Sequence, residues 1–283
     1  MIAGCIEAGG TKFVCGAGTA PEDLVTETFP TTDPQATIER AAAFLSIYAP
    51  EVVGIASFGP LDLARGRITS TPKSGWENFD FAQAVAERLK ARVAIDTDVN
   101  AAALAEHRWG AAQGIDDFLY LTVGTGIGGG PIVGGRTIHG LVHPEMGHVR
   151  VPHDRARDAF EGVCPFHGDC LEGLASGPAM QARWGAPANE LPPGHEAWEL
   201  EAHYLALGLA NWVCTLSPRR IVMGGGVMQQ AHMFPLVRAE LARLLNGYIQ
   251  ADALCGEGLE SYVVPPRLGN RAGVLGALVL ALG

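Results

Sequence analysis

One device occurs twice in this chain and constrains its fold more than any other feature. An apolar stretch, Ile2 to Glu7, runs into Ala8-Gly9-Gly10-Thr11 and resumes from Lys12 to Gly16. Roughly 115 residues further on, Phe118 to Val123 runs into Gly124-Thr125-Gly126-Ile127-Gly128-Gly129-Gly130 and resumes at Pro131 to Val133. Short apolar runs bounded by glycine read as strands, and here each pair reads as a hairpin closed by a glycine turn. The same supersecondary unit at that interval predicts a duplicated α/β architecture.

The intervening patterns agree. Leu24 to Phe29 reads as a third strand, and Asp33-Pro34 opens a helix to about Tyr48. Val52 to Phe58 is a buried strand, Phe79 to Leu89 a helix, Val93 to Asp96 a strand and Asn100 to Trp109 an alanine-rich helix. Residues 140–173 break the regularity with His, Cys, Pro and Asp. Regular structure returns as a helix over Glu196 to Leu216, a strand over Arg220 to Met223 and a glycine turn at Gly224-Gly225-Gly226. A helix over Phe234 to Tyr248, a strand over Tyr262 to Val264 and a closing helix over Ala272 to Leu282 complete the pattern. Strands alternating with helices imply layered α/β domains, with boundaries expected at 1–115 and 116–283.

Glycine supplies 37 of the 283 residues and the formal net charge is -10. An acidic chain is a poor general binder of nucleic acid or anionic membrane. It can still hold a phosphate, because backbone N–H groups bind anions without a lysine patch. No run is long and apolar enough for a transmembrane helix, and no basic, apolar leader opens the chain. A cytoplasmic protein is expected. Cys5, Cys15 and Cys214 read as small buried hydrophobes.

Neither common phosphate motif fits. The lysine of a P-loop is misplaced after Gly9-Gly10-Thr11. Gly124, Gly126 and Gly129 match G-x-G-x-x-G literally, but a strand follows, so the helix N-terminus that would hold a pyrophosphate is missing. What remains is two glycine/threonine hairpin turns, suited to hold phosphates from two sides or serving as ordinary tight turns. Asp98 stands where a strand meets a helix, at the sheet edge where α/β proteins bind ligands. It reads either as that helix's N-cap or as a catalytic carboxylate. Cys164, His167 and Cys170 form a compact C-x2-H-x2-C group. With a fourth ligand from His148, His153 or His143 they match a closed structural Zn²⁺ site. Trp76 reads as a cleft residue or as filler.

Glu7-Ala8-Gly9-Gly10-Thr11-Lys12, Asp96-Thr97-Asp98-Val99-Asn100, Gly124 to Gly130, Glu145-Met146-Gly147-His148 and Gly224-Gly225-Gly226-Val227 occur in this order. The set resembles the ROK family of sugar kinases across essentially the whole chain. Thr71-Pro72-Lys73-Ser74-Gly75-Trp76, His143-Pro144-Glu145, Cys164 to Cys170 and Pro265-Pro266-Arg267-Leu268-Gly269 resemble its bacterial fructokinase branch. The resemblance implies the duplicated actin-like ATPase (ribonuclease H-like) fold, with two domains around a cleft and the last helix packing back toward the N-terminal domain.

The resemblance also implies an ATP-dependent hexokinase, acting on fructose, with mannose and glucose as alternatives. It makes Asp98 the catalytic base and Gly9, Gly10, Thr11, Lys12, Thr125, Gly126, Gly224, Gly225 and Gly226 the nucleotide contacts. Thr97, Asp98, Glu145, His148 and Glu172 would be the sugar contacts. His148 would be the fourth zinc ligand, with Mg²⁺ near Glu7. Asp96 and Asn100 would support or cap. Two residues depart from the family: Glu7 and Thr97 stand where aspartate and asparagine are usual. A homodimer is expected, and the first strand at Ile2 leaves no room for the DNA-binding helices of the family's repressors. Two other classes remain open, a silent sugar sensor and a mechanical ATPase.

Overall fold

The computed structural model describes residues 2–71 and 73–283, so Pro72 of the Thr71–Trp76 stretch lies outside the described residues. Backbone contacts divide the chain into two units. One comprises Met1–Gln113, Arg136–Pro144 and Leu268–Gly283, the other Gly114–Gly135 and Glu145–Arg267.

In the first unit the strands are β1 (Ala3–Ala8), β2 (Lys12–Gly18), β3 (Val25–Pro30) and β4 (Val52–Ser57), then a two-stranded hairpin of β5 (Leu61–Asp62) and β6 (Arg67–Ile68), and β7 (Arg92–Thr97). They form a sheet in the order β3-β2-β1-β4-β7, with the small hairpin apart. β1 pairs antiparallel with β2 and parallel with β4, and β4 parallel with β7. Its helices are α1 (Pro34–Ser46), α2 (Phe81–Leu89) and α3 (Asp98–Trp109), joined by α9 (Ala272–Leu282). Alternation along β1 explains the layering. Ile6 faces an aromatic core with Phe13, Trp76 and Phe81, whereas Cys5 faces Ala101, Leu275 and Leu278 of α3 and α9.

The α1 start is as the sequence predicts: Asp33 caps it through the Ala36 amide and Pro34 occupies the first turn. The α2 helix starts two residues later than its apolar pattern suggests, at Phe81, because Phe79 spends its carbonyl on the amide of Ile68 in β6. The β5–β6 hairpin, too short for a periodic signal, was not legible.

The second unit repeats the same succession of pairings. β8 (Phe118–Val123) pairs antiparallel with β9 (Ile127–Val133) and parallel with β11 (Ile221–Gly224), which pairs parallel with β12 (Val263–Val264). The two-residue strand β10 (Arg136–Thr137) falls among the residues of the first unit. The remaining helices are α4 (Leu171–Ala175), α5 (Gly177–Trp184), α6 (Ala197–Leu216), α7 (Met233–Leu245) and α8 (Gly258–Tyr262). Their core joins Leu119, Leu121, Leu205, Leu209, Val237 and Leu241. Cys214 is exposed on α6, against the expectation of burial. No described helix is long and apolar enough to cross a membrane.

One turn is shorter than its sequence suggests. Only Gly124-Thr125-Gly126 turns, and Gly128-Gly129-Gly130 belongs to β9. A Cβ on Gly129 would meet the Met146 side chain, so these glycines give a close neighbour access to the strand rather than shaping a loop.

Candidate active site and metal-ligand cluster

Within the first unit, the carboxyl ends of the parallel strands bring the predicted residues to one edge. Ala8 aligns with Ser57, and Ser57 with Thr97. The Gly9–Thr11 turn leaves β1 at that edge and α3 leaves β7 there, which is where α/β sheets bind ligands. The turn is tight, because the Gly9 amide donates to the Lys12 carbonyl at 2.9 Å and a Cβ on Gly9 would crowd that same oxygen. Thr31 braces it, with its hydroxyl on the Gly9 carbonyl at 2.6 Å. Gly10, Thr11 and Lys12 remain exposed.

The two readings of Asp98 are separated by the cap geometry. Thr97, with extended backbone, is the N-cap of α3, and its hydroxyl accepts the Asn100 amide at 3.1 Å. Asp98 is the first residue of the helix proper, where a carboxylate is favoured by the helix dipole. Its Oδ1 accepts the Val99 amide at 2.9 Å. Thr97 itself is buried at this edge.

Glu7 stands next to it electrostatically. Burial, then the Asp98 charge, pushes its carboxyl up to about 7, while Lys12 and the Val274 amide oppose the rise. Its Oε2 is buried without a hydrogen-bond partner. A buried carboxylate oxygen lacking a donor, beside a second carboxylate, fits a divalent cation bound mainly by phosphate oxygens and water. A Cβ on Gly273 in α9 would press on the Glu7 carboxyl.

Trp76 is not a cleft residue. It is fully buried among Phe13, Phe58, Phe79 and Phe81, and its indole N–H donates to the Thr32 carbonyl at 2.8 Å. The nearby Lys73 ammonium donates to the Thr31 carbonyl at 3.2 Å.

The second unit carries the other glycine turns. Gly225 has φ +92°, and a Cβ there would meet the backbone of Val123, so Gly224-Gly225-Gly226 turns directly against the end of β8. The Gly124 carbonyl accepts the Gly177 amide at 2.7 Å. Thr125 is exposed at the tip of its turn. Glu172, from α4, is tied to the same turn: its Oε2 accepts the Ile127 amide at 2.9 Å, in space that a Cβ on Gly126 would take.

His148, Cys164, His167 and Cys170 converge, with one ligand atom from each lying within 4.8 Å of all the others. Cys164 Sγ is 3.7 Å from His148 Nδ1 and 3.6 Å from His167 Nδ1, and Cys170 Sγ is 3.6 Å from His148 Nδ1. Tetrahedral Zn²⁺, with its usual Zn–S and Zn–N bond lengths, sets sulfur and nitrogen about 3.6 Å apart. The donor set therefore fits zinc in both chemistry and spacing. The rival ligands are engaged elsewhere. His153 faces Asp169 at 3.2 Å and the Asp158 carbonyl at 3.0 Å, and His143 Nε2 accepts the Leu61 amide. Asp169, set between two of the four ligands, is also held by Arg150 at 2.7 Å and Arg155 at 3.1 Å.

His148 turns its Nε2 toward Glu172 Oε1, 3.8 Å away and too far for a direct hydrogen bond. Burial, reinforced by Glu172, raises the Glu145 carboxyl, while His148 lowers it. Sequence reasoning missed His139, whose Nε2 lies 2.9 Å from Asp96 Oδ2. His143 was read as part of the His143-Pro144-Glu145 motif and as a rival metal ligand, not as a partner of Leu61.

The chain is similar to known sugar kinases in sequence and in fold. A fructokinase of Zymomonas mobilis is 45% identical, over 99% of this chain and 96% of its own. The structure of a ROK hexokinase from Thermus thermophilus superposes with a TM-score of 0.80 at 31% identity, covering 100% of this chain and 98% of that one. That of a ROK family glucokinase from Streptomyces griseus, in complex with glucose and AMPPNP, does so with a TM-score of 0.77 at 25% identity, covering 100% and 99%. The model of the ROK family matches residues 3–283, and over that whole length the chain belongs to this family.

Proposed function

We propose that this chain transfers the γ-phosphoryl group of ATP to the 6-hydroxyl of fructose. One structural observation carries the catalytic assignment: Thr97, not Asp98, is the N-cap of α3, so Asp98 stands at the sheet edge as the first residue of the helix. Asp98 accepts the hydroxyl proton as that oxygen attacks the γ-phosphorus. The transition state is loose, so positioning and charge neutralisation do most of the work. The near-full-length fructokinase relative supports fructose over other hexoses.

Nucleotide contacts come from each unit: in the first, the amides of Gly10 and Thr11 with Lys12, while the Gly9 amide is spent on the Lys12 carbonyl and shapes the turn; in the second, the Thr125 hydroxyl and the amides of Gly126 and Gly224-Gly225-Gly226. Glu7 would help to hold Mg²⁺, which would neutralise phosphate charge. In the second unit Glu145, His148 and Glu172 hold sugar hydroxyls; in the first, Thr97 beside Asp98 is a further sugar contact. His148 would hold zinc through Nδ1, and with that nitrogen occupied its Nε2 would carry the hydrogen and donate. A hydroxyl of the sugar suits the gap between that nitrogen and Glu172.

The test is a coupled assay of ADP release with fructose, mannose or glucose, on wild type and Asp98→Ala. Fructose-stimulated turnover is expected, reduced by about 10²- to 10⁴-fold in the variant. ADP release indifferent to sugar would make the chain an ATPase instead.

A further inference from the structure

Three hydrogen bonds converge on one buried carboxylate next to Asp98. Asp96 ends β7 and is 3% exposed. Its Oδ1 accepts the Thr97 amide at 2.7 Å and the Asn100 carboxamide N–H at 2.8 Å. Its Oδ2 accepts from His139 Nε2 at 2.9 Å. The acceptor is a carboxylate, so the hydrogen sits on Nε2. The same nitrogen's 3.4 Å approach to Asn100 Nδ2 is then donor against donor and makes no bond.

These contacts enclose the turn that carries Asp98. Thr97 precedes it, and Asn100 follows two residues later. Both are tied to Asp96, and Thr97 and Asn100 are tied to each other by the helix cap. His139 reaches this junction from far along the chain, on the segment after β10. That segment has a second anchor in the same unit: His143 Nε2 accepts the Leu61 amide at 2.9 Å, and its ring lies 3.3 Å from where Gly59 would carry a Cβ. The segment is thus docked on the first unit at two histidines. One of them binds the carboxylate that organises the catalytic turn.

We infer that His139 is a positioning residue for the phosphoryl transfer, acting through Asp96 to fix the Thr97–Asn100 turn and with it the Asp98 carboxylate. The inference rests on Asp98 being the base. Without its imidazole donor, Asp96 Oδ2 is a buried acceptor left unsatisfied, and the carboxylate regains freedom to turn away from Thr97 and Asn100. The His139 side chain is 44% exposed, so the fold itself draws little on it. The expected loss is therefore in rate.

The experiment compares wild type, His139→Ala, His139→Gln, His139→Glu and Asp98→Ala, each with fructose and ATP. His139→Ala is expected to lower kcat by about tenfold or more, since small displacements of a reacting group are costly, with KM for ATP unchanged. Its unfolding midpoint should fall by no more than several degrees, so the variant stays folded under assay conditions. Glutamine, whose side-chain N–H replaces Nε2–H, restores most of kcat. Glutamate, the same size but without a donor and opposite Asp96, does not. If alanine leaves kcat at the wild-type level, or if glutamine and glutamate give equal kcat, the inference is overturned. The glutamine–glutamate contrast decides the matter even where the alanine variant does not fold. Asp98→Ala is read separately: substantial kcat in that variant sinks the base assignment, whereas its loss beside an unaffected His139→Ala sinks only the positioning role.

Discussion

At the scale of the residue, Glu7 is the group whose chemistry is most altered by its surroundings. Burial and the neighbouring Asp98 charge raise it from 4.5 to about 7. Between those values the folded protein keeps a proton that the unfolded chain has released. The stabilisation from this group is therefore complete below the lower value and is lost as pH rises through the upper one, by at most about 3 kcal/mol. Cation binding carries the opposite sign, because a metal takes the ionised carboxylate. Denaturant unfolding without magnesium should show wild type losing stability between pH 5 and pH 8 relative to Glu7→Gln. Magnesium–nucleotide affinity, followed by calorimetry, should rise over the same interval in wild type and stay flat in the variant. Parallel pH profiles for the two proteins would mean that Glu7 is neither buried in this way nor near the metal. The neighbouring assignment shows what local sequence can resolve. Asp98 could be placed at a strand–helix junction from its pattern, but whether it or Thr97 caps the helix depends on one backbone conformation. His139 was beyond such reading, since its partner Asp96 lies on a different element and only the fold brings the two together.

At the scale of the element, the first unit depends on how closely α9 can approach its neighbours. A Cβ on Gly276 would run into the backbone of Ala101 in α3, and one on Gly54 in β4 into the carbonyl of Ala277 in α9. Both glycines keep ordinary backbone angles, so their role is space and not conformational freedom. Overpacking a tight contact of this kind costs about 1–3 kcal/mol, and more where backbone must move. Gly276→Ala should accordingly lower the thermal midpoint by several degrees, at about 2–4 °C per kcal/mol for a chain of this size. An unchanged midpoint would show that the α3–α9 contact is looser than it stands here. The same physics explains which elements were legible. Helix α9 was bounded correctly because all its faces are apolar or small, and β8 because it is apolar but for Thr122, with glycine after it. The start of β9 was missed because glycine, read as a turn residue, here serves a strand that Met146 packs against. Neither α5 nor α8 was anticipated, being short segments with little periodicity.

At the scale of the whole molecule, an acidic chain must bind a polyanion, and its two units approach this by different means. The first unit presents an open hairpin turn and the carboxyl groups of Glu7 and Asp98, on a sheet packed on both faces. The second hangs three predicted sugar ligands, Glu145, His148 and Glu172, on residues 145–172, whose regular structure is one 3-10 turn and the first residues of α4. So little regular structure leaves the conformational entropy of that segment to be offset by the four-ligand cluster and by the ion pairs of Asp169. Metal binding at such a site is local folding free energy. Removing zinc should therefore release the segment while both sheets persist. Hydrogen exchange should rise across 145–172 and stay slow in β1, β4 and β8, with little change in far-ultraviolet circular dichroism. Fructose phosphorylation should fall by about tenfold or more, as when the outer support of a binding residue is lost, and return with stoichiometric zinc. Cys170→Ser should reproduce the metal-free state. Full activity in protein shown by elemental analysis to be free of zinc would leave the cluster no part in holding the sugar. Loss of the β1 and β4 protection would instead make the metal a determinant of the whole fold.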